Sequence, residues 1–195
     1  MLTNPLWRQS AGAFRETLRQ WLYGELPDAP MHLAIFLDAR AVAGDATLLQ
    51  EARAHLQRIA SGSDAQLARF AQAIDQFDEH SPWWSRITGL REREDATVDI
   101  KKLGTFPIVH GLRVLALQHH LEELGTVPRI RTLAARGLLR ADLARDLIDT
   151  LHFLMGLKLR HNLHQRQLQQ PGDNLVQVAR MGTMERDMLK DALAI

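Results

Sequence analysis

The chain has 195 residues, 46% of them hydrophobic, with 24 Lys and Arg against 23 Asp and Glu, a formal net charge of +1 and no cysteine. That is ample apolar material for a single domain, and so even a charge balance gives no general electrostatic case for binding DNA or an anionic membrane surface. The lack of cysteine excludes disulfides and thiolate metal sites and fits a reducing, cytoplasmic setting; no run reaches the ~18–20 apolar residues of a membrane span.

Few β-branched or aromatic residues alternate with polar ones, whereas Leu, Ala, Arg, Gln and Glu abound. The expected class is all-α, an antiparallel bundle of about five to seven helices. Asn4 and Pro5 are start signals for a first helix in which Trp7, Ala11, Phe14, Leu18 and Trp21 recur at helical steps, ending at Gly24. After the break at Leu26–Pro30, the run Leu33–Leu37 is too short to assign, and Gly44-Asp45 marks a turn. Helices over 45–60 (Leu49, Ala52, Leu56, Ile59) and 64–78 (Leu67, Phe70, Ile74, Phe77) form an amphipathic pair broken at Ser61-Gly-Ser63. From Glu79 to Lys102 no helical stripe is visible; Trp83-Trp84 reads as a loop anchor, beside the alternating charges of Arg91–Asp95.

A helix over 105–123 is apolar round nearly its whole circumference (Phe106, Ile108, Val109, Leu112, Val114, Leu115, Leu117) and is the expected central one. Gly104, Thr105 and Pro107 announce its start, with Thr105 as the side-chain cap. Its first turn holds no acid. Lys101 and Lys102 precede it while His110 and Arg113 follow, a placement suited to a phosphate or carboxylate. A short helix over 127–136 and a long one over 141–168 come next, the latter aligning Leu143, Leu147, Leu151 and Leu154. A last helix, with Met181, Met184, Met188, Ala192 and Ile195 as its packing stripe, closes the chain. The organisation is one helical domain over 1–195, divisible into an N-terminal part over 1–80 and a core bundle over 97–195.

At about 100° per residue, Lys158 and His161 continue the apolar line of the long helix, with Asn162 beside it and Arg160 roughly opposite. Two readings are open for the polar residues within apolar faces. In one, Arg113 is paired internally with Asp99, Asp38 or Glu185 and His110 is a satisfied core histidine. In the other, Lys101, Lys102, His110, Arg113, Lys158 and His161 surround a phosphorylated ligand. The series Arg129, Arg131, Arg136, Arg140 reads as a solvated face. No phosphate loop, nucleophile elbow or zinc-protease motif occurs, and His119-His120 with Glu122 and Glu123 points in diverging directions, so no metal site is expected.

Several stretches together resemble the nucleotidyltransferase substrate-binding domain of bacterial signalling proteins: Asn4–Arg8 with Trp21, Ile35–Arg40, Val42–Asp45, the long motif Asp99–Arg113, Leu157–His161 and Asp173–Val176. Leu103 and Ala39 depart from it, standing where a second glycine and an aromatic are usual. In those proteins the domain follows a nucleotidyltransferase-like domain, often behind cyclic-nucleotide-binding and CBS domains, and is related to regulatory uridylyl- and adenylyltransferases. The resemblance implies a helical, catalytically silent partner of that domain, cytoplasmic and active in signal transduction. It implies a nucleotide, or a signalling protein as substrate, facing Lys101, Lys102, His110, Arg113, Lys158, Arg160 and His161, with Asp38, Arg40 and Asp99 in support. The metal-binding aspartates, and with them Mg²⁺ and the nucleoside triphosphate, would belong to a catalytic domain preceding Asn4. The rivals are a helical interaction module with internally paired charges and an RNA nuclease built on Arg113 and His119.

Overall fold

The computed structural model describes residues 4–26, 28–77 and 97–195. The described residues form eight α-helices and one two-stranded sheet, so the protein is mainly all-α. The helices are α1 (Ala11–Tyr23), α2 (Ala29–Leu37), α3 (Ala46–Ala60), α4 (Asp64–Ala71), α5 (Phe106–Gln118), α6 (Thr126–Ala135), α7 (Ala141–Gln167) and α8 (Thr183–Leu193). Trp83-Trp84, Arg91–Asp95 and residues 1–3 lie outside the described residues. The chain forms two compact units, Met1–Ala73 with His110–Arg129, and Ile74–Val109 with Ile130–Ile195. The chain crosses between them after Ala73, inside α5 and again inside α6, so neither unit is a continuous segment.

In the first unit the helix expected from Asn4 to Gly24 is divided. Asn4 accepts the Leu6 N–H at 2.9 Å and opens only a 3₁₀ turn, Pro5–Trp7. The α-helix restarts when Ser10 accepts the Ala13 N–H at 3.3 Å. The unassigned run 33–37 is the end of α2, opened by Pro30 in its first turn. Leu18, Leu22, Leu33 and Leu56 are at most 1% exposed at the centre of the unit. Burying a side chain of that size contributes about 1.5–3 kcal/mol. Val114 and Leu117 of α5 join the same cluster.

The second unit contains the feature that sequence periodicity missed. Residues Thr97–Asp99 (β1) pair antiparallel with Leu175–Gln177 (β2), Val98 facing Val176. Each strand is three residues long, too short to show an alternating pattern. Behind β1 the chain enters a π-helical turn, Lys101–Thr105, before α5. Ile100 stands at the cap position of this turn, and the side chain that serves its backbone is Asp99, whose Oδ1 accepts the Lys102 N–H at 2.9 Å, rather than Thr105. The first turn itself holds no acid, as expected, but Asp99 stands two residues before it.

Every residue from Gly104 to Leu117 is buried or half-buried, as an apolar circumference requires. The helix ends earlier than expected, at Gln118, because His120 adopts a left-handed conformation (φ 53°) and the Leu121 N–H turns back to the Ala116 carbonyl at 2.9 Å. The stripe of the last helix also differs. Leu189 and Leu193 form the buried face of α8, one turn apart, whereas Met184 and Met188 are 73% and 48% exposed. Met181 is buried but precedes the helix.

Candidate functional site

The polar residues singled out by the sequence fall in both units and acquire different surroundings in each. In the first unit the C-terminal end of α2 delivers Asp38 between two arginines. Arg113, from α5, places Nε 3.0 Å from Asp38 Oδ2 and donates from Nη2 to the same oxygen. Arg129, from the first turn of α6, sets Nη1 2.8 Å from Asp38 Oδ1. Its Nε donates to the Glu123 carbonyl at 2.8 Å and its Nη2 to the Leu37 carbonyl at 3.2 Å. Arg129 is only 2% exposed.

That burial corrects the reading of Arg129 as part of a solvated face, while Arg131, Arg136 and Arg140 are exposed. The signal was present in the helical count. Arg129 stands four residues before Leu133, 1% exposed, and so on the same face, whereas Arg131 does not. A buried guanidinium is tolerated because two carbonyls accept from Nε and Nη2 and the charge of Asp38 stands beside Nη1.

His110 is 1% exposed and its Nε2 lies 2.7 Å from the Phe70 carbonyl, with the two rings edge to face at 4.5 Å. Burial holds the imidazole below its ordinary value of 6.5 despite that hydrogen bond, and the neighbouring Arg113 charge adds to the effect. A neutral ring then donates Nε2–H to the carbonyl. Arg40 is exposed.

In the second unit α7 supplies Arg160 and His161. Arg160 pairs with Glu185 of α8. His161 Nε2 stands 2.9 Å from Asp173 Oδ1, and that hydrogen bond is the main reason the Asp173 carboxyl sits below the usual carboxylate range. Gln165, 8% exposed, accepts the Asp173 N–H at 3.1 Å and fixes the loop after α7. Around these residues lies a cleft of about 660 Å³, lined also by His164, Arg180 and Gln177 of β2. Lys158 is half-buried on α7 outside that lining; Lys101 and Lys102 are exposed on the π-helical turn. Asp99 serves the backbone of that turn, as described above.

Arg160 and His161 thus share one cleft, while Arg113 and His110 are each satisfied inside the first unit. The Arg113–His119 spacing of the nuclease reading runs through an arginine already held by Asp38. Among the described residues no group of three or more His, Asp or Glu is arranged to hold a metal ion. The two carboxylates of the cleft are each already engaged, Asp173 by the His161 ring and Glu185 by Arg160, so the residues present do not fit a Mg²⁺ site.

The family model described as putative nucleotidyltransferase substrate binding domain matches residues 64–195, and the chain belongs to that family. No curated protein and no solved structure matches it. No helix among the described residues is long and apolar enough to cross a membrane.

Proposed function

We propose that this chain holds an anionic substrate, a nucleotide or a signalling protein, for a separate nucleotidyltransferase domain that supplies Mg²⁺ and the transfer chemistry. The observation that carries the reading is the cleft of the second unit, where Arg160, His161, His164 and Arg180 line one opening of about 660 Å³. Its size is within the ordinary range of small-molecule sites. The two pairs at its wall, Arg160–Glu185 and His161–Asp173, each join one exposed and one half-buried side chain. Exposed pairs are worth about 0–1 kcal/mol, so exchanging a carboxylate partner for a phosphate costs little. Arg180 has no carboxylate within ion-pair distance among the described residues and is available outright. Lys101, Lys102 and Lys158 add positive charge to this unit and steer an anion toward it.

Titration of the chain with nucleoside triphosphates, alone and with its catalytic half, tests the reading. Binding that weakens with salt and in Arg180→Gln supports it; no heat in either arrangement overturns it.

A second reading, a protein-interaction module, draws on Met155, Leu159 and Leu163. These recur every four residues along α7 and are each more than half exposed. Such a stripe is the usual face for a partner helix. Loss of association with the catalytic half in Leu159→Glu, with nucleotide titrations silent, would favour this reading over the first.

A further inference from the structure

We infer that the first unit carries a phosphate-binding site of its own, in the cleft between α3 and the end of α5, built on Arg53 over the buried Arg129. It lies outside the cleft of the proposed function and uses none of its residues.

The inference begins with charge. Asp38 faces Arg113 with one oxygen and Arg129 with the other, so one carboxylate is already shared between two guanidiniums. Arg53, from α3, is a third guanidinium in the same neighbourhood. It is half-buried, and its Nη2 donates to the Ala39 carbonyl, the residue after Asp38. No carboxylate lies within 4 Å of it among the described residues. Burial and then the Arg129 charge both lower the affinity of Arg53 for its proton, with Glu122 and Asp38 offsetting them only in part. Counting Glu122 at the rim, three guanidiniums meet two carboxylates, and one positive charge is left over.

The second observation is space. A cavity of about 450 Å³ opens beside these groups, lined by Arg53, Arg129, Gln50, Gln57 and Glu122 over an apolar floor that includes Leu56 and Leu117. Two amides and a guanidinium fork offer several N–H donors from different directions, which suits a tetrahedral oxyanion better than a planar carboxylate. The apolar floor leaves room for the organic part of a phosphate ester. Arg129 is too deeply buried to reach out, and it acts through its field while Arg53 makes the contact. Glu122, at the rim, opposes an anion there through its charge. Asp38 and Arg53 both precede residue 64, where the family match begins, so this site needs the N-terminal segment.

The full chain is titrated separately with inorganic phosphate, pyrophosphate and AMP, followed by calorimetry and by the rise in melting temperature. Arg53→Gln is expected to weaken binding roughly tenfold or more, and Glu122→Gln to tighten it by about threefold, since it removes the competing charge. In an Arg180→Gln background, which disables the cleft of the second unit, the binding that depends on Arg53 is expected to persist. A purely structural arginine would not produce tightening in Glu122→Gln. Circular dichroism of each variant separates loss of binding from loss of fold. A preference for AMP over inorganic phosphate would assign the apolar floor to a nucleoside, and equal binding would assign the site to the phosphate alone; either supports the inference. No binding of any probe, or binding unmoved by Arg53→Gln and Glu122→Gln, overturns it. Binding abolished by Arg180→Gln alone overturns it in favour of the cleft in the second unit.

Discussion

The two units treat the same residue types in opposite ways. In the first, Arg129 at 2% exposure and Arg113 at 19% share one carboxylate, and His110 is sealed against a carbonyl. In the second, Arg160 is 61% exposed where it meets Glu185, and His161 meets Asp173 at the surface of a loop. The arginine pairs of the first unit are tied into its interior, whereas Arg160 meets its partner at the surface. The lesson is that a positive residue on an apolar face signals function only when its partner is cheap to lose.

Breaking one pair in each unit gives the largest contrast. Asp38→Ala leaves two guanidiniums facing each other in a poorly hydrated place, and we expect a loss of about 3–5 kcal/mol in urea unfolding. Glu185→Ala, which frees an exposed arginine, should cost under about 1 kcal/mol. Equal costs would erase the distinction. The second unit has its own rigid point at Gly104, where an added Cβ would lie 2.6 Å from Leu154 Cδ1. Gly104→Ala should therefore lose about 1–3 kcal/mol from overpacking, and a neutral result would mean that α7 can shift.

Acid should separate the units by direction of titration. His110 binds its proton less readily folded than unfolded, so protonation favours the unfolded chain. Its contribution is intact above its ordinary value of 6.5 and is lost as pH falls below it. Asp173, held below 3.8 chiefly by His161, contributes above that value and loses its contribution only as pH falls through the lowered one. Melting temperature followed against pH should show the earlier decline disappear in His110→Gln and persist in Asp173→Asn. The smallest effect is shared. His120 and Gln169 each end a helix in a left-handed conformation, at φ 53° and 56°. Replacing either by Gly should stabilise by about 0.5–1 kcal/mol in thermal melts, one in each unit.

Much of the fold was legible in the chain. The helices are long enough for periodicity to appear, and Gly24, Gly44-Asp45, Ser61–Ser63 and Gly137 punctuate them as their conformations require. What escaped was set by contacts distant in sequence. The β1–β2 pair joins residues 97–99 to 175–177 through three pairings, and nothing local marks such short strands. Asp99 looked like a member of an anion site because its backbone partner cannot be seen without the turn it serves. For the polar residues, the helical count placed His110 and Arg113 against the core, and Asp38 was among the three acids weighed for Arg113. The count did not reveal that Arg129 would claim the same carboxylate, because Leu37 and Glu123 supply its remaining acceptors from elsewhere in the chain.

Asp38 also bears on what counts as a unit of this protein. The stretch recognised by the family model begins at residue 64, yet Arg113 and Arg129 inside it are neutralised by a residue before it. A fragment cut at that border would keep both cations and discard their counter-ion. The boundary drawn by kinship and the boundary drawn by folding are different lines, and Asp38 lies between them.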